Sequence, residues 1–188
     1  MRVLVACEFS GIVRDAFLAA GHDAISCDLD PTESPGPHYQ GDVTTILNNG
    51  YDLMIAHPPC DNLSRSSTAT WAAKVADGRQ AAALDFVQLL MAAPIPRICI
   101  ENPPGRISTA IRKPDQYIQP YQFGRMESKK TGLWLKNLPL LVPTKIVPSI
   151  FNWVHLEGES SQRKKNRSRF FHGIAAAMAS QWGILPIL

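Results

Sequence analysis

Residues 2–28 read RVLVACEFSGIVRDAFLAAGHDAISCD. The opening RVLVAC, residues 2–7, is β-rich and continuous rather than alternating, the pattern of a strand covered on both faces. Ser10 and Gly11 then open an amphipathic stretch over residues 12–20, and Gly21 closes it as a C-terminal cap. Residues 23–27, DAISC, form a second strand ending at Asp28. A strand, a helix and a second strand in so short a span predict parallel pairing through a right-handed crossover.

The same alternation continues outward. Residues 31–41 are a loop rich in Pro and Gly, and YDLMIA at 51–56 is a third apolar run, stopped by Pro58 and Pro59. Residues 77–91 have helical character with Ala82, Phe86, Leu89 and Leu90 on one side, and PRICI at 96–100 is another buried-type strand. The second half is less regular. KTGLWL at 130–135 is strand-like, 138–148 is broken by prolines, 158–169 is a polar loop, and 173–182 is an Ala-rich helix. The expectation is an α/β fold with a mostly parallel central sheet, one domain over residues 1–188.

Composition narrows the class. A chain of 188 residues, 45% hydrophobic and 19% charged, can bury a full core. Twelve Gly and fifteen Pro are too few for a collagen or a low-complexity linker. No apolar run approaches the roughly 20 residues that span a bilayer. The N-terminal stretch carries a charge and no small-residue cleavage site, so it reads as a strand rather than a signal peptide. A cytoplasmic protein without membrane contact is expected. Cys7, Cys27, Cys60 and Cys99 are scattered with no Cys-x-x-Cys or paired-His spacing, which argues against a disulfide framework or a bound metal. Net charge is +3, but Arg163, Lys164, Lys165, Arg167 and Arg169 crowd together, and Arg125, Lys129, Lys130 and Lys136 form a second group. Both a solvated loop and a phosphate-contacting surface fit such clusters.

In open α/β sheets, ligands bind beyond the carboxyl ends of the strands. Glu8-Phe9-Ser10-Gly11 follows the first strand, with a glycine suited to a tight turn into a helix. Asp28 ends the second strand, where a carboxylate can accept both hydroxyls of a ribose, and Asp42 lies where another could reach an adenine amine. Each also fits an ordinary turn or cap. His57-Pro58-Pro59-Cys60-Asp61 is sharper, because two prolines hold the next side chain rigidly at the sheet edge. A free thiol is only about 3% thiolate at pH 7, so attack by Cys60 needs help, and His57 is a candidate neighbour. Glu101 in Glu101-Asn102-Pro103-Pro104 ends a different strand. A carboxyl kept neutral by partial burial could donate to a ring nitrogen, and a thiol with such a carboxyl suits attack on an electron-poor pyrimidine.

Phe9-x-Gly11, Asp28, Asp42, Pro58-Pro59-Cys60 and Glu101-Asn102 resemble, in order and spacing, the motifs of DNA cytosine-5 methyltransferases. The chain is still more similar to the short cytosine methyltransferases encoded by phages and prophages, which lack a target-recognition domain. That likeness runs nearly end to end, through ACEFSGIVRDAF, MIAHPPC, IENPPG, QPYQFG, GLWLKNLPLLVPT and RSRFFHGIAAAMASQWG. It implies a Rossmann-like methyltransferase fold binding S-adenosylmethionine, with Phe9, Ser10, Gly11 and Pro58 shaping the cofactor pocket, Asp28 on the ribose and Asp42 on the adenine. It implies that Cys60 adds to carbon 6 of a cytosine flipped out of DNA while Glu101 bonds its ring nitrogen and amine. Asn102, Arg125, Lys129, Lys130, Arg163, Lys164 and Lys165 would serve the base and the DNA backbone.

The chain departs from the family pattern at Val13, Ala56, Asp61 and Ile174, where Gly, Gly, Gln and Asn are usual. It also lacks the length of a separate recognition domain. Target choice would then fall to loops at 61–74 or 160–169, or to a protein partner. Two alternatives stay open: a methyltransferase-like accessory or anti-restriction protein that binds DNA without turnover, and an enzyme modifying a free pyrimidine nucleotide.

Overall fold

The computed structural model describes residues 1–64, 70–149 and 169–186. Seven strands form one sheet: β1 (Arg2–Ala6), β2 (Asp23–Asp28), β3 (His38–Gln40), β4 (Leu53–Ala56), β5 (Arg97–Asn102), β6 (Gln116–Ile118) and β7 (Thr131–Lys136). Their order is β3-β2-β1-β4-β5-β7-β6. The first five are mutually parallel, and β7 runs antiparallel to both β5 and β6. This is the mostly parallel α/β fold that the first strands predict, in the Rossmann-like form that the resemblance implies.

Helices cover both faces, which explains the unbroken apolar runs. Val3 and Val5 of β1 face one core with Leu53 and Ile55 of β4, while Leu4 and Ala6 face the other with Met54 and Ala56. The first core is closed by α1 (Ile12–Ala19), which supplies Val13 and Phe17, and by a C-terminal helix, α5 (His172–Trp182), which supplies Ile174, Met178 and Trp182. The second is closed by α3 (Arg79–Met91) through Val87 and Leu90, together with Trp134 of β7. Each large apolar side chain removed from water contributes about 1.5–3 kcal/mol, so this two-sided burial is the main force holding the sheet.

Several elements differ from the sequence expectation. Residues 71–91 form two helices, α2 (Trp71–Ala76) and α3, separated by Gly78. The buried residues of α3 are Gln80, Val87 and Leu90, while Ala82 and Leu89 face outward. Alanines and leucines lie all around that helix, so composition alone could not fix its inner face. Short β3 sits within the expected loop at 31–41, and a four-residue helix, α4 (Ile107–Ala110), follows β5. Strand β5 also runs two residues further than its apolar core, so that Glu101 and Asn102 are strand residues held by β7.

Candidate active site

The turn after β1 is built around a buried acid. Glu8 is 4% exposed, and its Oε1 accepts the Val13 amide at 2.7 Å and the Ser10 hydroxyl at 3.1 Å. Its Oε2 accepts the Arg14 amide at 3.3 Å. An anion at the start of α1 satisfies amides that the helix leaves open and meets the positive end of its dipole. Gly11 enters the helix with φ 75°, and a Cβ there would stand 2.5 Å from the Arg14 guanidinium. Arg14 is wholly buried. It donates to Asp15 Oδ1 at 2.8 Å, Ser26 Oγ at 3.1 Å and the Ser34 carbonyl at 2.9 Å, clamping the loop after β2 onto α1. Phe9 and Ser10 are buried in this turn.

The ends of β2 and β3 carry the next acids. Asp28 is half-buried and accepts the Asp30 amide at 3.0 Å. Burial pushes its carboxyl up, more than hydrogen bonds from the Asp30 and Leu29 amides bring it down. Asp42 is exposed and caps a short turn over Val43–Thr45, and the Thr44 amide holds its carboxyl below the usual range. Both acids act on Cys7. Burial first, then the charges of Asp28, Cys27 and Asp42, push that thiol up to about 12. The fold thus gathers Asp28 and Asp42 around the end of β1. Beside them Leu29 presents an apolar side chain that is 74% exposed.

The turn after β4 is stapled to the turn after β5. Ala56 pairs with Ile100 in parallel register, so His57 and Glu101 stand side by side at the carboxyl edge of these two strands. Asn102, 1% exposed, donates from Nδ2 to the Pro58 carbonyl at 2.7 Å. Gly105 approaches so closely that a Cβ would collide with the Leu63 carbonyl oxygen, and the Arg106 amide donates to that oxygen at 2.7 Å. Cys60 is half-buried between these staples, and its carbonyl accepts the Leu63 and Ser64 amides at 3.0 and 2.8 Å. Lys74, from α2, reaches back to the Asp61 carbonyl at 2.5 Å.

Glu101 differs from its sequence expectation. His57 Nδ1 lies 3.0 Å from Glu101 Oε2. Burial raises the Glu101 carboxyl, but hydrogen bonds from His57 and Thr131, with the charges of His57 and Lys129, outweigh it and hold the group below its ordinary value. The expected neutral donor is therefore a carboxylate when no base is bound. His57, the candidate activator of Cys60, is engaged by Glu101.

Of the basic residues, Lys129 stands close enough for its charge to act on Glu101 and lies 5.5 Å from the Phe171 ring. Lys130 lies over the Tyr117 ring at 4.2 Å, and Arg125 pairs with Glu127 at 2.8 Å. Arg163, Lys164 and Lys165 fall outside the described residues. The segment before α5 links the two ends of the site. Arg169 donates to both Glu33 oxygens at 2.7 and 2.9 Å, and Phe170 stacks obliquely on His57 at 4.7 Å. Arg14, Leu29, Thr131 and Phe170 carry no motif signal in the sequence, and Glu8 stands there only as part of the turn after the first strand. Among the described residues no cluster of His, Cys, Asp or Glu could hold a metal ion, and no helix is long and apolar enough to cross a membrane.

The chain matches no protein-family model and no curated protein sequence. Among solved structures it is similar to the Entamoeba histolytica methyltransferase EhMeth, with a TM-score of 0.53 and 14% identity over 78% of this chain and 57% of that one. A second similar structure is described as a DNA modification methyltransferase encoded within an E. coli prophage, with a TM-score of 0.48 and 15% identity over 79% of this chain and 52% of that one. That second score is too low to carry weight. The first likeness is one of fold. The chain spans little more than half the length of either structure.

Proposed function

We propose that this chain is an S-adenosylmethionine-dependent methyltransferase acting on carbon 5 of cytosine in DNA, with Cys60 as nucleophile and Glu101 engaging the base. The observation that carries this reading is the stapling of the Pro58-Pro59-Cys60 turn to β5 by Asn102. It holds a thiol-bearing turn and a buried carboxylate at one edge of adjacent parallel strands. The turn-first, strand-end layout also matches where α/β sheets bind ligands.

The donor set around β1 and β2 fits the cofactor. Asp28 offers a carboxylate suited to two ribose hydroxyls, exposed Leu29 offers an apolar face to a purine, and Asp42 can accept from its amine. Phe9, Ser10, Gly11 and Pro58 would line the path toward the base. S-adenosylmethionine, when bound, supplies an electrophilic methyl group. The Cys60 thiolate adds to carbon 6 of the base and is later expelled when carbon 5 loses its proton. An ionised Glu101 accepts a hydrogen bond from the exocyclic amine, and Lys129 adds a positive charge beside it.

Transfer of labelled methyl to DNA tests the reading. Cys60→Ala should abolish transfer, and Glu101→Gln should lower it by about 10²-fold or more, within the usual range for acid–base groups. Equal activity in wild type and Cys60→Ala would overturn the mechanism. Methyl product on a free pyrimidine nucleotide, with none on DNA, would move the assignment to the nucleotide.

A further inference from the structure

His57 stands beside the Pro-Pro-Cys turn, in a position one residue beyond the last β4–β5 pair. Its side chain and that of Glu101 are 11% and 13% exposed, and the two form a hydrogen-bonded pair at 3.0 Å. Its other ring nitrogen, Nε2, is buried and finds no hydrogen-bond partner among the described residues. Instead the imidazole meets the Phe170 ring, tilted by 52° with centroids 4.7 Å apart. A buried imidazole with one nitrogen at a carboxylate, the other without a partner among the described residues, and its ring against an aromatic one is not a surface histidine tied into a loop.

Cytosine addition needs a proton on the base. When a thiolate joins carbon 6, the π pair of the carbon 5–carbon 6 double bond forms a carbon 4–carbon 5 double bond, and the π pair of the carbon 4–nitrogen 3 double bond moves onto nitrogen 3. That nitrogen must then be protonated. A carboxylate alone has no proton to give, and Lys129, Thr131 and His57 together keep Glu101 ionised in the free protein.

We propose that His57 is a positioning residue that works through Glu101, the two side chains acting as one acid that delivers a proton to the ring nitrogen of the bound cytosine. This rests on the cytosine reading above. In the step, the Nδ1–H bond of the His57 imidazolium breaks as an O–H bond forms on Glu101. Rotation of the carboxyl, a soft torsion, turns that O–H toward the base. The O–H bond breaks as nitrogen 3 takes the proton, leaving neutral His57 beside ionised Glu101. Expulsion of Cys60 returns the proton along the same path. The groups facing the pair are Lys129 and Thr131 from the β7 side, Cys99 within β5 and Phe170 ahead of α5.

The test uses exchange of the carbon 5 hydrogen of cytosine in DNA with solvent, followed against pH without added cofactor, since exchange needs only addition and reversal. Wild type should give a bell-shaped profile, rising with the thiolate and falling as the pair loses its proton. His57→Asn keeps a donor near the Nδ1 position but cannot titrate. It should move or erase the falling limb and lower the maximum by roughly 10- to 100-fold, the lower part of the range for acid catalysis. A second measurement on the DNA-free protein follows the Glu101 side-chain carboxyl by NMR, and His57→Asn should raise its titration. A His57→Asn profile superimposable on wild type, with Cys60→Ala inactive, overturns this proposal alone. Unchanged Glu101 titration in His57→Asn also overturns it. No exchange in wild type overturns the cytosine reading and this proposal together.

Discussion

The turns after β1 and β4 leave neighbouring parallel strands at the same edge of the sheet, yet their polar groups are used in opposite ways. After β1, Glu8 is fully engaged in starting α1, and the Arg14 guanidinium is shared among Asp15, Ser26 and the loop at 32–37. After β4, the work of holding the turn falls to prolines, to Asn102 and to the close approach of Gly105, none of which titrates. His57, Cys60 and Glu101 are left at the sheet edge with chemistry to offer. A strand-end acid is therefore not a ligand group by position alone. Glu8 lies in the turn beyond β1 and Glu101 at the end of β5, both at the carboxyl edge of the sheet, and only the second has an imidazole and an ammonium arranged about it.

Substitutions in the first turn separate these roles. The largest effect is expected from Arg14→Leu, which leaves Asp15 and several loop carbonyls without their buried donor. Asp15 is 42% exposed and keeps the Ser34 hydroxyl, so the loss comes from several neutral acceptors at about 1 kcal/mol each, and denaturant unfolding should show a total of about 3 kcal/mol. A change under about 0.5 kcal/mol would mean that the clamp on the loop after β2 contributes nothing. Glu8→Gln comes next. It keeps one acceptor but removes the charge at the helix start, and about 1–2 kcal/mol of stability should go with it. If instead it abolished cofactor binding at unchanged stability, Glu8 itself would be a ligand group and the contrast with Glu101 would fail.

The smallest effect concerns Asp28 and has a sign that can be worked out. Burial places its carboxyl above the ordinary value in the folded protein. The folded state therefore favours the protonated form, and ionisation at neutral pH costs stability. Asp28→Asn removes that cost, so the thermal midpoint at pH 7 should rise by about 1 °C, a gain that fades below roughly pH 4. Calorimetry with S-adenosylmethionine should show about tenfold weaker binding in the same variant, since a hydrogen bond to a charged acceptor is worth about 1.5–3 kcal/mol. A more stable protein with undiminished binding would remove Asp28 from the cofactor site.

Much of this was legible in the chain. The unbroken apolar runs of β1, β4 and β5 required cover on both faces, and the order of their polar ends followed from parallel pairing. What stayed hidden depends on groups distant in sequence. Arg14 reads as one more charge on an amphipathic helix until the carbonyls at 34–37 fold over it. The His57–Glu101 pair needs β4 beside β5, and the ionised state of Glu101 needs Lys129 and Thr131, brought in by antiparallel β7. Strands β3 and β6 have three residues each, too short for a periodic signal.

Formation of a covalent bond between Cys60 and carbon 6 of cytosine tests the account most directly. With DNA carrying 5-fluorocytosine and S-adenosylmethionine present, fluorine blocks the final proton loss and the adduct should accumulate. Mass spectrometry should find the base attached to the peptide containing Cys60, and Cys60→Ala should give none. Methylation of unmodified DNA by Cys60→Ala at the wild-type rate would contradict the account.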